Sequence, residues 1–329
     1  VTVRIGLIGC GAVARRFHLP AFKAAGAEVI AFSSRTSASA EAAAGEWGSG
    51  KVLSDWREIL AIDEIDAVDV CTPNASHAEM AIAAANAGKH VLVEKPIATT
   101  LDEADEMISA ARSAKTILMT AHNVRYAPPF VAVRKEIANG SLGRIHGVRA
   151  AFGHAGPQVW APGATWFFDR TLSGGGALMD LGVHVADLLR SVLSDEVAEV
   201  GAMLSSGSLG VEEAAQVIMR FEGGAIGSMH ISWIANPAPD HQLTIFGSNG
   251  TIHLDSTTSP VFRSESGDSR VLATEEDIDD PYHAFVNAIE SGSEPPVTGE
   301  DGRAALAIVV AAYRSSEERS MVAVDRPRQ

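Results

Sequence analysis

Val3-Arg4-Ile5-Gly6-Leu7-Ile8-Gly9-Cys10-Gly11-Ala12-Val13-Ala14 begins as a short apolar run and passes into three small residues, Gly9, Gly11 and Ala14, at close spacing. The run predicts a buried strand, the glycines a tight turn, and the stretch from Ala12 to Ala25 a helix. In that setting Gly9 permits the turn, Gly11 lets a phosphate approach the backbone, and Ala14 lets helix pack closely on strand. The helix start at Gly11, Ala12 and Val13 offers N–H groups and positive dipole to a pyrophosphate. Taken alone, such a run is also compatible with a structural glycine-rich turn. On the first strand of an alternating domain it is a dinucleotide fingerprint.

The flanking sequence supplies that domain. Further apolar runs at Glu28–Phe32, Val52–Leu53, Ala67–Cys71, His90–Glu94 and Ile117–Thr120 alternate with helical patterns at Ser37–Trp47, Trp56–Ala61, Ser76–Ala87 and Leu101–Ala114. Gly26 and Gly88 sit at expected helix C-caps, and Thr100 with Glu103 reads as a capping box. Strands separated by helices imply right-handed crossovers and a doubly wound parallel sheet. The rhythm changes after residue 122, and Pro128-Pro129 opens a short helix. Beyond it β-patterned stretches dominate, at Ile145–Phe152, Val197–Leu204, Ala215–Phe221, Ala225–Trp233, Leu243–Phe246 and Thr251–Leu254, with a hairpin loop over Gly247–Gly250. One helix, Ala177–Leu193, interrupts them and another, Arg303–Arg319, closes the chain, while Ser256–Asp280 reads as an acidic loop. The expected fold class is α/β: an N-terminal Rossmann domain over 1–122, then an α+β domain over 123–329 with an open-faced, mostly antiparallel sheet.

Composition narrows the partners. The 329 residues carry a net charge of −15, with 46% hydrophobic and 20% charged side chains and no run long enough to span a membrane. Such a charge repels nucleic acid and anionic lipid, so neither is an expected partner. No basic segment precedes Val3–Ala14, so no export signal is expected. Cys10 and Cys71 have neither disulfide nor metal spacing and read as reduced, inert thiols, which suits a cytoplasmic setting.

The second strand ends in Ser33-Ser34-Arg35, where an acidic residue would otherwise accept hydrogen bonds from an adenosine ribose. Two hydroxyls and a guanidinium suit a ribose phosphate, which favours NADP as cofactor. NAD is the alternative, with Arg35 a solvated residue over the adenine.

Three further motifs follow in order: Thr72-Pro73-Asn74 with His77, then Glu94-Lys95-Pro96, then Gly174-Gly175-Gly176 followed by Asp180-Leu181-Gly182-Val183-His184 and Asp187, with Pro281-Tyr282 near the end. Together with Gly9–Ala14 they resemble the Gfo/Idh/MocA family, over nearly the whole chain. The resemblance implies a nicotinamide cofactor in the cleft between the two domains, substrates among sugars, inositols, related polyols and some diols, and a homodimer or homotetramer formed through the C-terminal sheet. It also implies that Thr72, Pro73, Asn74, Glu94 and Lys95 border the cofactor, as His77 does unless it is only a helix-start residue.

Lys95 follows the fifth strand, at the carboxyl edge where doubly wound sheets bind their ligands. A lysine there is ordinarily solvated; the resemblance makes it catalytic, its ammonium polarising a reacting hydroxyl. Asp180 and His184, four apart on a predicted helix, share one face, with His184 suited to accept a proton and Asp180 to orient substrate or stabilise an imidazolium. A helical hydrogen bond without catalysis is the plainer reading, and a metal site completed by Asp187 a third; no metal is expected. Trp160, Trp166, Phe167 and Phe168 read as an aromatic loop over the substrate, although core packing is the commoner use of such residues. Arg125, Trp166 and Tyr282 join Lys95, Asp180 and His184 as candidate substrate contacts. His122, His154, His230 and His241 lie in no motif. The function expected is hydride transfer between the nicotinamide and a hydroxyl-bearing carbon. A non-catalytic nicotinamide sensor, or a redox-neutral sugar-modifying enzyme with a retained cofactor, shares the same first domain.

Overall fold

The computed structural model describes residues 2–274 and 279–326. The chain divides into two compact units, Val1–His122 with Asp279–Arg303, and Asn123–Ile278 with Ala304–Gln329. The break after His122 falls where the sequence rhythm changes. The return of Asp279–Arg303 to the first unit departs from the single domain that the sequence suggests over 123–329. Packing explains it: helix Pro281–Ser291 buries Tyr282, Phe285 and Val286, Tyr282 stacks edge-on against Phe22, and Arg303 pairs with Asp105 at 2.9 Å.

The first unit holds six strands, β1 (Arg4–Ile8), β2 (Glu28–Ser33), β3 (Lys51–Leu53), β4 (Ala67–Val70), β5 (His90–Val93) and β6 (Leu118–Thr120), in the order β3-β2-β1-β4-β5-β6. Every pairing is parallel. Residues along β1 and β4 are buried almost without interruption, as strands covered by helices on both faces must be. The order reverses between β1 and β4, so the carboxyl ends of these two strands form the switch point where such sheets take ligands. Helices Ser37–Trp47 and Leu101–Ala114 stand where the sequence puts them, and Thr100 with Glu103 forms the expected capping box.

Among its described residues the second unit carries nine strands: β7 (Ile145–Gly153), β8 (Val197–Ser206), β9 (Glu212–Phe221), β10 (Ile226–Ser232), β11 (Gln242–Gly247), β12 (Gly250–Leu254), β13 (Val261–Glu265), β14 (Asp268–Leu272) and β15 (Val322–Ala323). All pair antiparallel except β7 with β10. Strands β13 and β14 correct the reading of Ser256–Asp280 as a loop. They form a hairpin turning at Ser266-Gly267, both with positive φ, and at this end of the sheet the buried apolar positions come down to Val261 and Leu272, too few to write a pattern. Residues 275–278 of that stretch lie outside the described residues.

Register places six exposed apolar side chains on one face of this sheet. Ile218 of β9 lies opposite Gly201 and Ser228, and Arg220 beside it opposite Ile226; Ile226 and Phe246 both face Gly147, and Phe262 faces Val271. Met203, Ile218, Ile226, Phe246, Phe262 and Val271 are all exposed there. Among the described residues no helix is long and apolar enough to cross a membrane.

Candidate active site

The turn after β1 has the geometry a dinucleotide requires. Gly9 has φ +96°, and a Cβ on it would meet the Cys71 carbonyl oxygen at 2.2 Å, so no other residue fits. A Cβ on Gly11 would meet nothing within 4 Å, and Gly11 and Ala12 are exposed while Ala14 is fully buried. The first helical turn is thus open to a phosphate, and the residues present fit a nicotinamide dinucleotide. Ser33 is buried, its carbonyl accepting from Gly9 N at 2.8 Å. The Ser34 hydroxyl accepts from Cys10 N at 3.5 Å, and Arg35 is exposed.

The helix that follows is not regular. Ala14–His18 forms a π segment before the α-helix Leu19–Ala24, and such widened turns recur at functional sites. It delivers His18 into the unit's interior, fully buried. The imidazole Nδ1 lies 2.8 Å from Asp69 Oδ2 and Nε2 lies 2.8 Å from Glu94 Oε1, while the ring packs against Tyr282 at 4.8 Å, the two planes tilted by 60°. Burial alone would lower His18, but the Asp69 charge, helped by the Asp69 hydrogen bond, raises it well above the ordinary imidazole value. Burial would raise Glu94, yet the His18 hydrogen bond and charge and the neighbouring Lys95 hold it below the usual carboxylate range. Asp69 is pushed upward by burial, partly offset by His18. Burial, then the Cys71 and Asp69 charges, push the Cys10 thiol up to about 12, as suits an inert thiol.

Glu94 Oε2 accepts from Lys95 N at 3.0 Å. His77, wholly buried at the start of helix His77–Asn86, meets Pro96 O with Nδ1 and Thr72 O with Nε2, each at 2.9 Å. Burial lowers its pKa, partly offset by those two carbonyls, and the ring lies between the Thr72 and Pro96 loops. It has no surface to present to a cofactor. Asn74 is also buried, whereas Thr72, Pro73, Glu94 and Lys95 keep partial exposure at the carboxyl edge of the sheet.

In the second unit the expected helix Ala177–Leu193 appears as a π segment, Leu178–Gly182, followed by the α-helix Val183–Leu193. Asp180 lies in the widened turn and His184, half-buried, in the first turn after it. The carboxylate of Glu212 anchors the segment, accepting from Gly176 N at 2.8 Å, Leu178 N at 3.0 Å and the Tyr313 hydroxyl at 2.6 Å. The approach is so close that a Cβ on Gly176 would meet the Glu212 carbonyl at 2.0 Å, which explains the last glycine of the triplet. Asp180 Oδ2 accepts from Trp233 Nε1 at 3.2 Å and lies 3.4 Å from His154 Nε2. Trp160 Nε1 approaches that His154 nitrogen at 3.5 Å. His154 stacks on Trp233, and Trp160 packs edge-on against Phe167, which stacks with Trp166. The aromatic loop therefore forms one cluster with Asp180 at its polar end.

Two expected substrate contacts are engaged otherwise. Arg125, almost fully buried, pairs in fork geometry with Asp187, its Nε donating to Asp187 Oδ2 at 2.8 Å and its Nη2 to Oδ1. Asp187 is thereby committed to a guanidinium. Tyr282, also buried, packs on His18 and Phe22 within the first unit. Conversely, the sequence reading missed His18, His154 and Trp233, none of which lies in a motif. For His18 the one local signal is its place on the helix that follows the fingerprint.

Residues 3–122 match the family model described as an oxidoreductase family with an NAD-binding Rossmann fold, and residues 130–253 match the GFO/IDH/MocA C-terminal domain. A 1,5-anhydro-D-fructose reductase of Ensifer adhaerens is 36% identical over 325 residues, 95% of this chain and 96% of that one. A myo-inositol 2-dehydrogenase of Thermotoga maritima is 33% identical, covering 84% of this chain and 85% of its own. Among solved structures, levoglucosan dehydrogenase in complex with NADH and levoglucosan aligns with a TM-score of 0.91 at 27% identity, over 99% of this chain and 100% of that one.

Proposed function

The chain belongs to the Gfo/Idh/MocA oxidoreductase family, and from that premise we propose that it is a dehydrogenase or reductase of a sugar, inositol or related polyol. The observation that carries this reading is the open turn at Gly9–Ala12 followed, on the same sheet edge, by a Lys95 whose backbone is held on both sides. The nicotinamide cofactor, when bound, accepts or supplies the hydride. Lys95 places an ammonium by the reacting hydroxyl and stabilises negative charge as it develops on that oxygen. His184 accepts the hydroxyl proton in the oxidative direction and returns it in the reductive one. Asp180, oriented by the Trp233 indole, hydrogen-bonds the substrate and stabilises the imidazolium of His184.

Ser33, Ser34 and Arg35 make NADP the favoured cofactor in this reading, since an exposed guanidinium beside two serines suits a ribose phosphate. The exposed apolar face of the second sheet supports self-association as a homodimer or homotetramer. The test follows nicotinamide absorbance while purified protein is mixed with NADP or NAD and a panel of sugars, inositols and diols. Turnover with one class, faster with NADP and lost in Lys95→Ala, supports the proposal. Faster turnover with NAD overturns the cofactor preference, and silence across the panel despite cofactor binding overturns the dehydrogenase.

A further inference from the structure

We infer that His18 is a positioning residue for Lys95, acting through the Glu94 carboxylate; this rests on the reading of Lys95 as the group that polarises the substrate hydroxyl. Each oxygen of Glu94 has one directed partner, Oε1 facing the His18 imidazole at 2.8 Å and Oε2 accepting the Lys95 N–H at 3.0 Å. The carboxylate therefore ties the π segment of the first helix to the backbone of the residue it presents. On the other side of Lys95, His77 holds the Pro96 carbonyl at 2.9 Å. A backbone fixed on both sides gives the lysine stem, and the ammonium at its end, one origin.

The groups facing His18 come from several elements: Asp69 at the end of β4, Cys71 just beyond it at 3.9 Å, Glu94 after β5, and Tyr282 on helix Pro281–Ser291. Among the described residues Asp69 Oδ1 finds no hydrogen-bond partner. Burying an imidazole between two carboxylates is a poor way to stabilise a fold, because apolar side chains of similar volume generally do as well or better. What the arrangement does supply is a fixed carboxylate under Lys95. Asp69 sets the ring's orientation through Nδ1, so that Nε2 points at Glu94.

Two variants separate positioning from packing. In His18→Gln the amide nitrogen replaces Nε2 and can still donate to Glu94; in His18→Asn it replaces Nδ1 and cannot reach. Turnover is measured on whichever polyol the wild type oxidises, together with the 13C signal of reductively methylated Lys95, assigned with Lys95→Arg. We expect His18→Asn to lose roughly 10- to 100-fold in kcat with KM for the nicotinamide little changed, and His18→Gln to keep most of it. The Lys95 signal should move in His18→Asn and stay in place in His18→Gln. An unmoved Lys95 signal in both variants overturns the inference, as does equal loss in both with lowered Tm, which marks a packing role. If the wild type oxidises nothing, the Lys95 signal alone decides His18, and the failure falls on the dehydrogenase reading.

Discussion

The indole Nε1 of Trp233 donates to Asp180 Oδ2 at 3.2 Å, across 53 residues of sequence and inside the protein. Asp180 is itself buried, so this bond fixes which way its carboxylate presents the other oxygen. Trp233→Phe keeps an aromatic ring against His154 and Phe168 and deletes the N–H donor together with the indole's second ring. A buried carboxylate that loses one hydrogen bond is destabilised by about 1–3 kcal/mol. We expect kcat to fall about tenfold while thermal unfolding shows the fold intact, with steady-state kinetics and circular dichroism as the readouts. Unchanged kcat would separate Trp233 from the chemistry.

The Arg125–Asp187 pair is a structural element, and its removal should register in stability before it registers in substrate affinity. Both side chains are nearly inaccessible. Asp187→Ala strands a buried guanidinium and should cost about 3–5 kcal/mol in urea unfolding. Arg125→Met with Asp187→Leu should recover most of that, since neither charge is then left alone. A raised substrate KM with undiminished stability in Arg125→Ala would instead restore Arg125 as a direct contact.

His18 and His77 oppose each other in pH dependence. His18, raised when folded, contributes stability that is full below about pH 6.5, its unfolded value, and is lost as pH climbs through its folded value. His77, lowered when folded, works the other way: below about pH 6.5 the unfolded chain takes a proton that the folded chain refuses, and stability drops. Glu94, also lowered, adds a loss as pH falls through its folded value. Urea titrations between neutral pH and the alkaline range where Cys10 and Tyr282 begin to contribute should show wild-type stability falling with pH. His18→Gln should flatten that decline. The same slope in both proteins would mean that His18 is not charged.

The apolar face built by Met203, Ile218, Ile226, Phe246, Phe262 and Val271 should be covered by a second copy of the chain. Light scattering is expected to give a dimer or tetramer, and Met203→Glu with Ile218→Glu to give a monomer of unchanged circular dichroism. A wild type that is monomeric at micromolar concentration would contradict it.

What the sequence makes legible is what lies close together along the chain. Gly9, Gly11 and Ala14 occupy one turn and Thr100 with Glu103 one cap, so both could be read from spacing, while Glu94-Lys95-Pro96 occupies one strand end and takes its meaning from the family resemblance. His18 is different. It is separated from Asp69 by 51 residues and from Glu94 by 76, and nothing in an amphipathic helix marks a histidine that turns inward. The π segments at Ala14–His18 and Leu178–Gly182 hide for a related reason: one extra residue in a turn barely alters an apolar periodicity, although it re-aims a side chain. Helix Pro281–Ser291 escapes because its place in the first unit rests on packing against Phe22 and His18, more than 250 residues earlier in the chain.

The most direct measurement follows a deuterium atom. A polyol identified by the absorbance panel is labelled at its carbinol carbon and incubated with the enzyme and oxidised cofactor, and the nicotinamide is recovered for mass spectrometry. Hydride transfer predicts one deuterium on the reduced nicotinamide ring for each carbinol oxidised, with transfer lost in Lys95→Ala. Oxidised product without deuterium on the cofactor would contradict direct transfer from carbon to nicotinamide, and with it the function proposed for this chain.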